Sequence, residues 1–238
     1  MAEELEILYM DEHLVAINKP SGLLVHRSWI DRHATEFAMQ KVRNQIGQHV
    51  YPVHRLDRPT SGVLVMALSS ESARVLSRSF EERATAKTYL AVVRGHTPDF
   101  GQIDYPLMEE DKSPDPEDPD SQVAQPATTD YSTMKTSEIS VEISRYPTSR
   151  FSLVQLSPKE GRRNQLRRHM AHIRHPIIGD TQHGDNKYNR YFRQVLKDYR
   201  LALHAWKLTL PHPATSEVLS LEATPEPSFQ AIQSHVGC

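Results

Sequence analysis

The chain has 238 residues, 38% hydrophobic and 24% charged, with a formal net charge of -2; this is a globular composition with ample length for a buried core. Its single cysteine, Cys238, is the last residue, which excludes a disulfide framework, a cysteine-based zinc site and a catalytic thiol, and fits a reducing compartment. The longest unbroken apolar run, Val63 to Leu68, is too short to span a bilayer, and the acidic N-terminus MAEELEILYM lacks the layout of an export signal, so the expected location is cytoplasmic.

In chain order, Leu5–Tyr9 and Leu14–Asn18 read as a strand hairpin about a turn at Asp11-Glu12, ending at Pro20-Ser21-Gly22. Thr35 to Ile46 has helical spacing, with Phe37, Met39, Val42 and Ile46 near one side. Val50–Val53 and Val63–Leu68 read as strands flanking the loop His54–Gly62. Ser70 to Glu82 is a second helix, N-capped by Ser69 or Ser70, with Ala73, Leu76 and Phe80 at helical spacing. Lys87–Arg94 is a strand. Residues 109–127 hold four prolines and an acidic run, and predict an exposed loop insertion. Strands resume at Tyr131, Val141 and Phe151–Leu156. A third helix is predicted from Arg162 to about Arg174, before Pro176. Leu201–Leu210 and Val218–Glu222 close the series as a hairpin. Strands outnumber helices and no linker divides the chain, so the expected fold is one α+β domain over residues 1–238, with a largely antiparallel mixed sheet and flanking helices around a cleft.

Glycine is scarce, at nine residues, and no two form a G-x-G. That removes the P-loop and the Rossmann phosphate cradle, so no nucleotide cofactor is expected. The modest net charge hides a segregation. Residues 109–120 carry seven acids and one lysine, whereas residues 145–200 carry 13 Lys/Arg against four Asp/Glu. Clustered positive charge of this kind suits a polyanion such as nucleic acid.

The most informative stretch is His54-Arg55-Leu56-Asp57-Arg58-Pro59-Thr60-Ser61-Gly62. Two guanidinium groups flank one carboxylate, which favours ionised Asp57 and suits a phosphate backbone passing over it. An ionised, positioned Asp serves as nucleophile or base; the same pattern also fits a structural Asp that caps a turn. On the third predicted helix, Leu166, Met170 and Ile173 fall within about 60° of one another as a buried face. Arg163, Arg167 and Arg174 line its shoulder, from which they can reach a cleft. His169, His172 and His175 lack a nearby carboxylate or thiol to complete a metal set, so helix packing or backbone hydrogen bonding is expected of them and no metal is. Trp29 and Trp206 read as core or loop anchors.

His54–Gly62 resembles the active-site motif of the RluA-type pseudouridine synthases, and the rest of the chain agrees. Asn18-Lys19-Pro20-Ser21-Gly22-Leu23-Leu24-Val25-His26 resembles the family's first motif and Lys87-Thr88-Tyr89 its second. Gly161–Arg167, running on to His175–Asp180, resembles the third, and Leu201–Ala205 the C-terminal signature. The resemblance covers residues 5–223 with the motifs in the family's order. It implies that Asp57 is the catalytic carboxylate, that Tyr89 stacks on the target base, that Arg167 pairs with Asp57, and that Leu203 walls the pocket. Arg55, Arg58, Arg163 and Arg174 are then RNA-binding residues. The implied reaction is an isomerisation of uridine and uses no cofactor. The wording of LVHRSWIDR, HRLDRPTSGV and LRRHMAHIRHPIIGDTQHGD is similar to family members that act on tRNA, which implies a tRNA partner, with uridine 65 of the T-stem as target. No accessory RNA-binding domain is expected before the first motif, and a monomer is expected. One departure is Asn164, where the family usually has His. Ribosomal RNA as substrate, a non-catalytic RNA-binding module and a histidine-based metal hydrolase are the competing readings.

Overall fold

In strands β2 (Leu14–Lys19) and β4 (Ser61–Ala67) nearly every side chain is buried, because both faces of the sheet they form are covered. Alternate residues divide between two apolar clusters. Val15, Ile17, Leu64 and Met66 point to one, with Ala38 and Val42 of helix α1 (Ala38–Ile46). Leu14, Ala16, Val63, Val65 and Ala67 point to the other, with Leu76 of helix α2 (Ser70–Glu81). A near-continuous apolar run is what a doubly covered strand requires.

The computed structural model describes residues 4–26, 35–108 and 123–238; the acidic run 109–120 and Trp29 lie outside the described residues. The chain divides into two compact units, each assembled from two stretches of sequence: residues 1–89 with 203–230, and residues 90–202 with 231–238.

In the first unit, β1 (Ile7–Met10), β2, β4 and β9 (Leu203–Pro211) lie side by side in that order. β10 (Val218–Glu222) pairs with β9, and the short β3 (Tyr51–Pro52) pairs with β4. These pairings are antiparallel except β4 with β9, which run parallel through Ser61–His204 and Gly62–Ala205. Gly62 has φ +113°, and a Cβ there would fall 2.2 Å from the Ala205 carbonyl oxygen; the two backbones approach so closely that only glycine fits. Helix α1 begins at Ala38 rather than at the predicted Thr35. Phe37 is extended and bridges Leu24, and the first two helical amides donate to the carbonyls of Leu24 and Val25. Helix α2 is N-capped by Ser69, whose hydroxyl accepts from the Ser72 amide at 3.1 Å.

β5 (Ala86–Arg94) carries the chain into the second unit, where β5, β8 (Ser149–Pro158), β7 (Thr128–Ile139) and β6 (Phe100–Asp104) lie in that order. The predicted strand at Val141 is absent. The β7–β8 register ends at Ile139–Ser149, after which the Val141 amide turns back onto the Ile139 carbonyl and the Ser149 hydroxyl donates to the Val141 carbonyl. Helix α3 spans Gln165–His172, shorter than predicted, because Asn164 (φ 53°) and Arg174 (φ 66°) both take left-handed backbone at its two ends. Two further helices, α4 (Asn186–Val195) and α5 (Pro227–Val236), and strand β6 were not among the sequence expectations. Mixed strands and helices, with antiparallel pairing dominant, make the fold α+β as expected. No helix among the described residues is long and apolar enough to cross a membrane.

Candidate active site

The loop between β3 and β4 carries Asp57, and almost every residue of it is held. At its start the half-buried His54 ring accepts the Val65 amide through Nε2 at 2.9 Å and stacks on Phe80 with centroids 4.6 Å apart. Burial, helped by the charge of Lys87, pushes the His54 imidazolium down to about 3, so the ring is neutral at physiological pH and serves as a fixed acceptor. Leu56 is buried in the cluster beneath α1. A tight turn follows, in which the Thr60 amide donates to the Asp57 carbonyl at 3.0 Å.

The segment Lys19–Leu23 locks the other side of the loop. The Ser21 hydroxyl donates to the Pro59 carbonyl at 2.7 Å, the Gly22 amide to the Arg58 carbonyl at 2.8 Å, and Arg58 Nε returns a bond to the Gly22 carbonyl at 3.0 Å. Between these strands of bonds sits Lys19, fully buried. Its ammonium donates to the carbonyls of Pro20 (2.9 Å), Leu23 (2.8 Å) and Arg58 (3.3 Å). Burial lowers Lys19 to about 7, while the carboxylates of Glu226 and Asp57 act to keep it charged. Replacing Lys19 by Met strands three carbonyls in a dry site; the expected cost is more than about 2 kcal/mol of unfolding free energy, to be measured by urea denaturation.

Asp57 is half-buried, and Arg55 and Arg58 beside it are exposed. Tyr89, at the end of the first unit, packs against the same cluster as Leu56. Its phenol is pushed above the ordinary value, by burial first and then by the negative charge of Asp57, so the hydroxyl is neutral and senses that carboxylate. Leu203 is buried at the start of β9. The structure therefore brings Asp57, Tyr89, Arg55, Arg58 and Leu203 into one unit, and adds Lys19, Ser61 and His204 as supports. Sequence reasoning quoted those three in motifs without giving them a role. A lysine closing an apolar strand is the signal that was available, since an ammonium there must find acceptors or be expelled.

Arg167, Arg163 and Arg174 belong to the second unit, and the predicted arginine stripe on one helix shoulder is not observed. Arg163 and Arg174 lie outside the shortened α3, and Arg167 is buried within it. Arg167 binds Asp180 with two parallel bonds, Nε to Oδ2 at 2.8 Å and a terminal nitrogen to Oδ1 at 2.6 Å; it also donates to Asn164 Oδ1 at 2.7 Å and Gln182 Oε1 at 3.1 Å. Burial alone would raise the Asp180 carboxyl, but Arg167 and the amides of His183 and Gln182 outweigh it and hold the group below the usual carboxylate range. Asn164 suits its place twice over: asparagine tolerates left-handed backbone, and a neutral carbonyl oxygen there completes the guanidinium's bonds.

The histidines of this region make hydrogen bonds and ring contacts within the fold. His169 joins its two ring nitrogens to the Thr129 hydroxyl (2.9 Å) and the Tyr105 carbonyl (3.0 Å), His172 stacks on Tyr105 with centroids 3.7 Å apart, and His175 Nδ1 meets the Arg94 carbonyl at 2.9 Å. Trp206 anchors the β9–β10 pair through a bond from its indole N–H to Glu222 at 2.8 Å.

The family model for RNA pseudouridylate synthase matches residues 13–172. The chain is 55% identical over 234 residues to a tRNA pseudouridine synthase C of Yersinia pestis, covering 98% of this chain and 91% of that protein. It is also 55% identical over 234 residues to one of Pectobacterium carotovorum, of whose length it spans 62% and which covers 98% of this chain. Among solved structures it is similar to human RNA Pseudouridylate Synthase Domain Containing 1, with a TM-score of 0.74 and 25% identity over 97% of this chain and 88% of that one.

Proposed function

The chain belongs to the RNA pseudouridylate synthase family, and from that premise we propose that it isomerises uridine 65 in the T-stem of tRNA to pseudouridine in the cytoplasm, with Asp57 as the catalytic carboxylate. The observation that carries this reading is the clamped loop: His54, Leu56, Arg58 and Pro59 are each bonded or buried, while Asp57 between them stays half-open to solvent. A loop held on both sides presents its one acid at low reorganisation cost, which is how a fixed catalytic group lowers a barrier.

The isomerisation breaks the N1–C1′ bond, turns the base, joins C5 to C1′ and then loses the C5 proton, while N1 ends with a proton, so that substrate and product have the same atoms. Asp57 acts as an ionised group, either by attack at C1′ or by taking a sugar proton to give a glycal; each route requires the charge. Tyr89, neutral and apolar-faced, stacks on the uracil ring, its hydroxyl sensing the charge of Asp57. Leu203 supplies an apolar wall. Arg167 is the catalytic arginine that the resemblance implies, its guanidinium oriented within the second unit by Asp180, Asn164 and Gln182. Arg163 and Arg174 contact phosphates, within a segment of the chain whose excess of basic residues supports RNA binding. Incubation with unmodified tRNA transcripts and with ribosomal RNA, followed by site-resolved pseudouridine detection, tests the reading; product only in ribosomal RNA would replace tRNA as substrate.

A stem uridine is paired and stacked, so it must leave the helix at a cost of a few kcal/mol. Arg55, exposed two residues before Asp57, is the side chain assigned to fill the gap, since its planar fork can stack and bond the orphaned base. Arg55→Ala is expected to slow modification of the intact stem by about a hundredfold, equivalent to about 2.7 kcal/mol, and to slow a mismatched stem far less. Single-turnover rates on the two substrates check this; equal losses with a matching fall in affinity would leave Arg55 a phosphate contact.

A further inference from the structure

Where β4 meets β9, two polar side chains share a dry site. Ser61 is 1% exposed and His204 is fully buried. Ser61 Oγ lies 2.9 Å from His204 Nδ1, and His204 Nε2 lies 2.9 Å from the Ala223 carbonyl oxygen. A carbonyl only accepts, so Nε2 carries a proton and donates. Burial lowers the imidazolium of His204, which leaves Nδ1 bare to accept the Ser61 hydroxyl. The chain of bonds thus has one direction: Ser61 to His204 to Ala223. His204 also lies 6.1 Å, centroid to centroid, from the Phe229 ring.

The location gives the bond its consequence. Ser61 follows Asp57 by four residues, at the end of the clamped loop, and His204 directly follows Leu203. The two are register partners in the parallel β4–β9 pair, and Gly62 beside them allows backbone contact with Ala205 that no Cβ would permit. That pairing is short, confined to two residue pairs, so backbone bonds alone give it little hold on the loop.

We infer that Ser61 and His204 are a positioning pair for catalysis, their buried hydrogen bond setting the Asp57 loop at a fixed distance from the Leu203 wall of the pocket. The pair acts through Asp57 and touches no substrate, and the inference rests on the reading of Asp57 as the catalytic carboxylate. Removing the bond loosens the carboxylate relative to the bound uridine. RNA affinity stays, since it resides mainly in phosphate contacts.

The test compares the full-length wild type with Ser61→Ala, Ser61→Cys and Asp57→Asn on an unmodified tRNA transcript. Ser61→Ala is expected to lower kcat about ten- to a hundredfold, the scale of a misplaced reacting group, with KM for tRNA within about twofold. Ser61→Cys, close in size and a weak donor, is expected to fall between. In the wild type, ¹⁵N spectra are expected to show His204 neutral with its proton on Nε2. In Ser61→Ala, the Nδ1 resonance moves toward the value of an unbonded nitrogen. A wild-type kcat in Ser61→Ala, or a His204 protonated on Nδ1 in the wild type, overturns the inference. So does a loss confined to KM. If Ser61→Ala does not fold, Ser61→Cys decides, a wild-type kcat again counting against the pair. An inactive Asp57→Asn beside a full-rate Ser61→Ala removes the pair alone, whereas an active Asp57→Asn removes the underlying reading of Asp57.

Discussion

Asp57→Asn is expected to abolish pseudouridine formation while tRNA binding is largely kept. The substitution preserves size and most hydrogen bonding, so Leu56 remains in its cluster and the bonds from Ser21, Gly22 and Lys19 to the neighbouring backbone are untouched. It removes the negative charge on which both chemical routes depend. An amide neither attacks C1′ nor takes a sugar proton at a useful rate, and a loss of at least about 10⁴-fold, some 5.5 kcal/mol of barrier, is expected. The measurement is site-resolved pseudouridine after single-turnover incubation, with a filter-binding isotherm on the same preparation. Substantial turnover by pure mutant protein would defeat the assignment of Asp57.

Arg167→Met is expected to cost the most stability. Arg167 is 5% exposed and the Asp180 carboxylate 1% exposed, and the pair is joined by two bonds. Without the guanidinium, the Asp180 carboxylate keeps, among the described residues, the amides of Gln182 and His183 in a site closed to water. Breaking a buried pair from one side typically costs about 3–5 kcal/mol, because the remaining charge is uncompensated. The pH dependence follows from the direction of the Asp180 shift. In the wild type the carboxyl is held below its unfolded value, so its contribution is present above the unfolded pKa and is lost as pH falls through the folded one. In Arg167→Met the carboxyl loses its cation and rises, so the deficit is largest near neutral pH and shrinks as Asp180 protonates. Urea unfolding of both proteins at pH 7 and near pH 4 checks the sign; a deficit that grows in acid would contradict it.

Legibility varied with how local the cause was. β2, β4 and α2 could be read because one stretch of sequence contains the whole reason for each: a doubly apolar run or a serine cap with helical spacing. Helix α5 offered comparable signals, with Pro227 at its first position and Phe229, Ile232 and Val236 buried along one side, but it is short and was not among the sequence expectations. Helix α4 was harder. Its apolar face consists of Tyr188 and Phe192, and its start is fixed by Asp185, which caps two amides and pairs with the distant Arg94. The same distinction holds at the candidate site. Asp57 and its arginines stand together in the sequence, and Tyr89 follows within a motif. The partner of Arg167 is 13 residues away and becomes visible only when α3 ends early and the chain turns back. Ser61 and His204 are 143 residues apart, beyond the reach of any periodicity.

The division of each unit between two stretches of sequence has a consequence during synthesis. When residues 1–89 have left the ribosome, β4 can pair with β2 and β3, but its partner β9 has not been made. Residues 90–202 must be translated first, about ten seconds of elongation at ~10 residues per second. Over that interval a strand whose seven residues are all destined for burial keeps the edge at Ser61 and Gly62 open, the kind of template on which nascent chains aggregate. Synonymous codon changes that slow elongation across residues 90–202 are therefore expected to lower the soluble yield more than the same slowing placed after residue 230, with no change in the sequence of the finished protein.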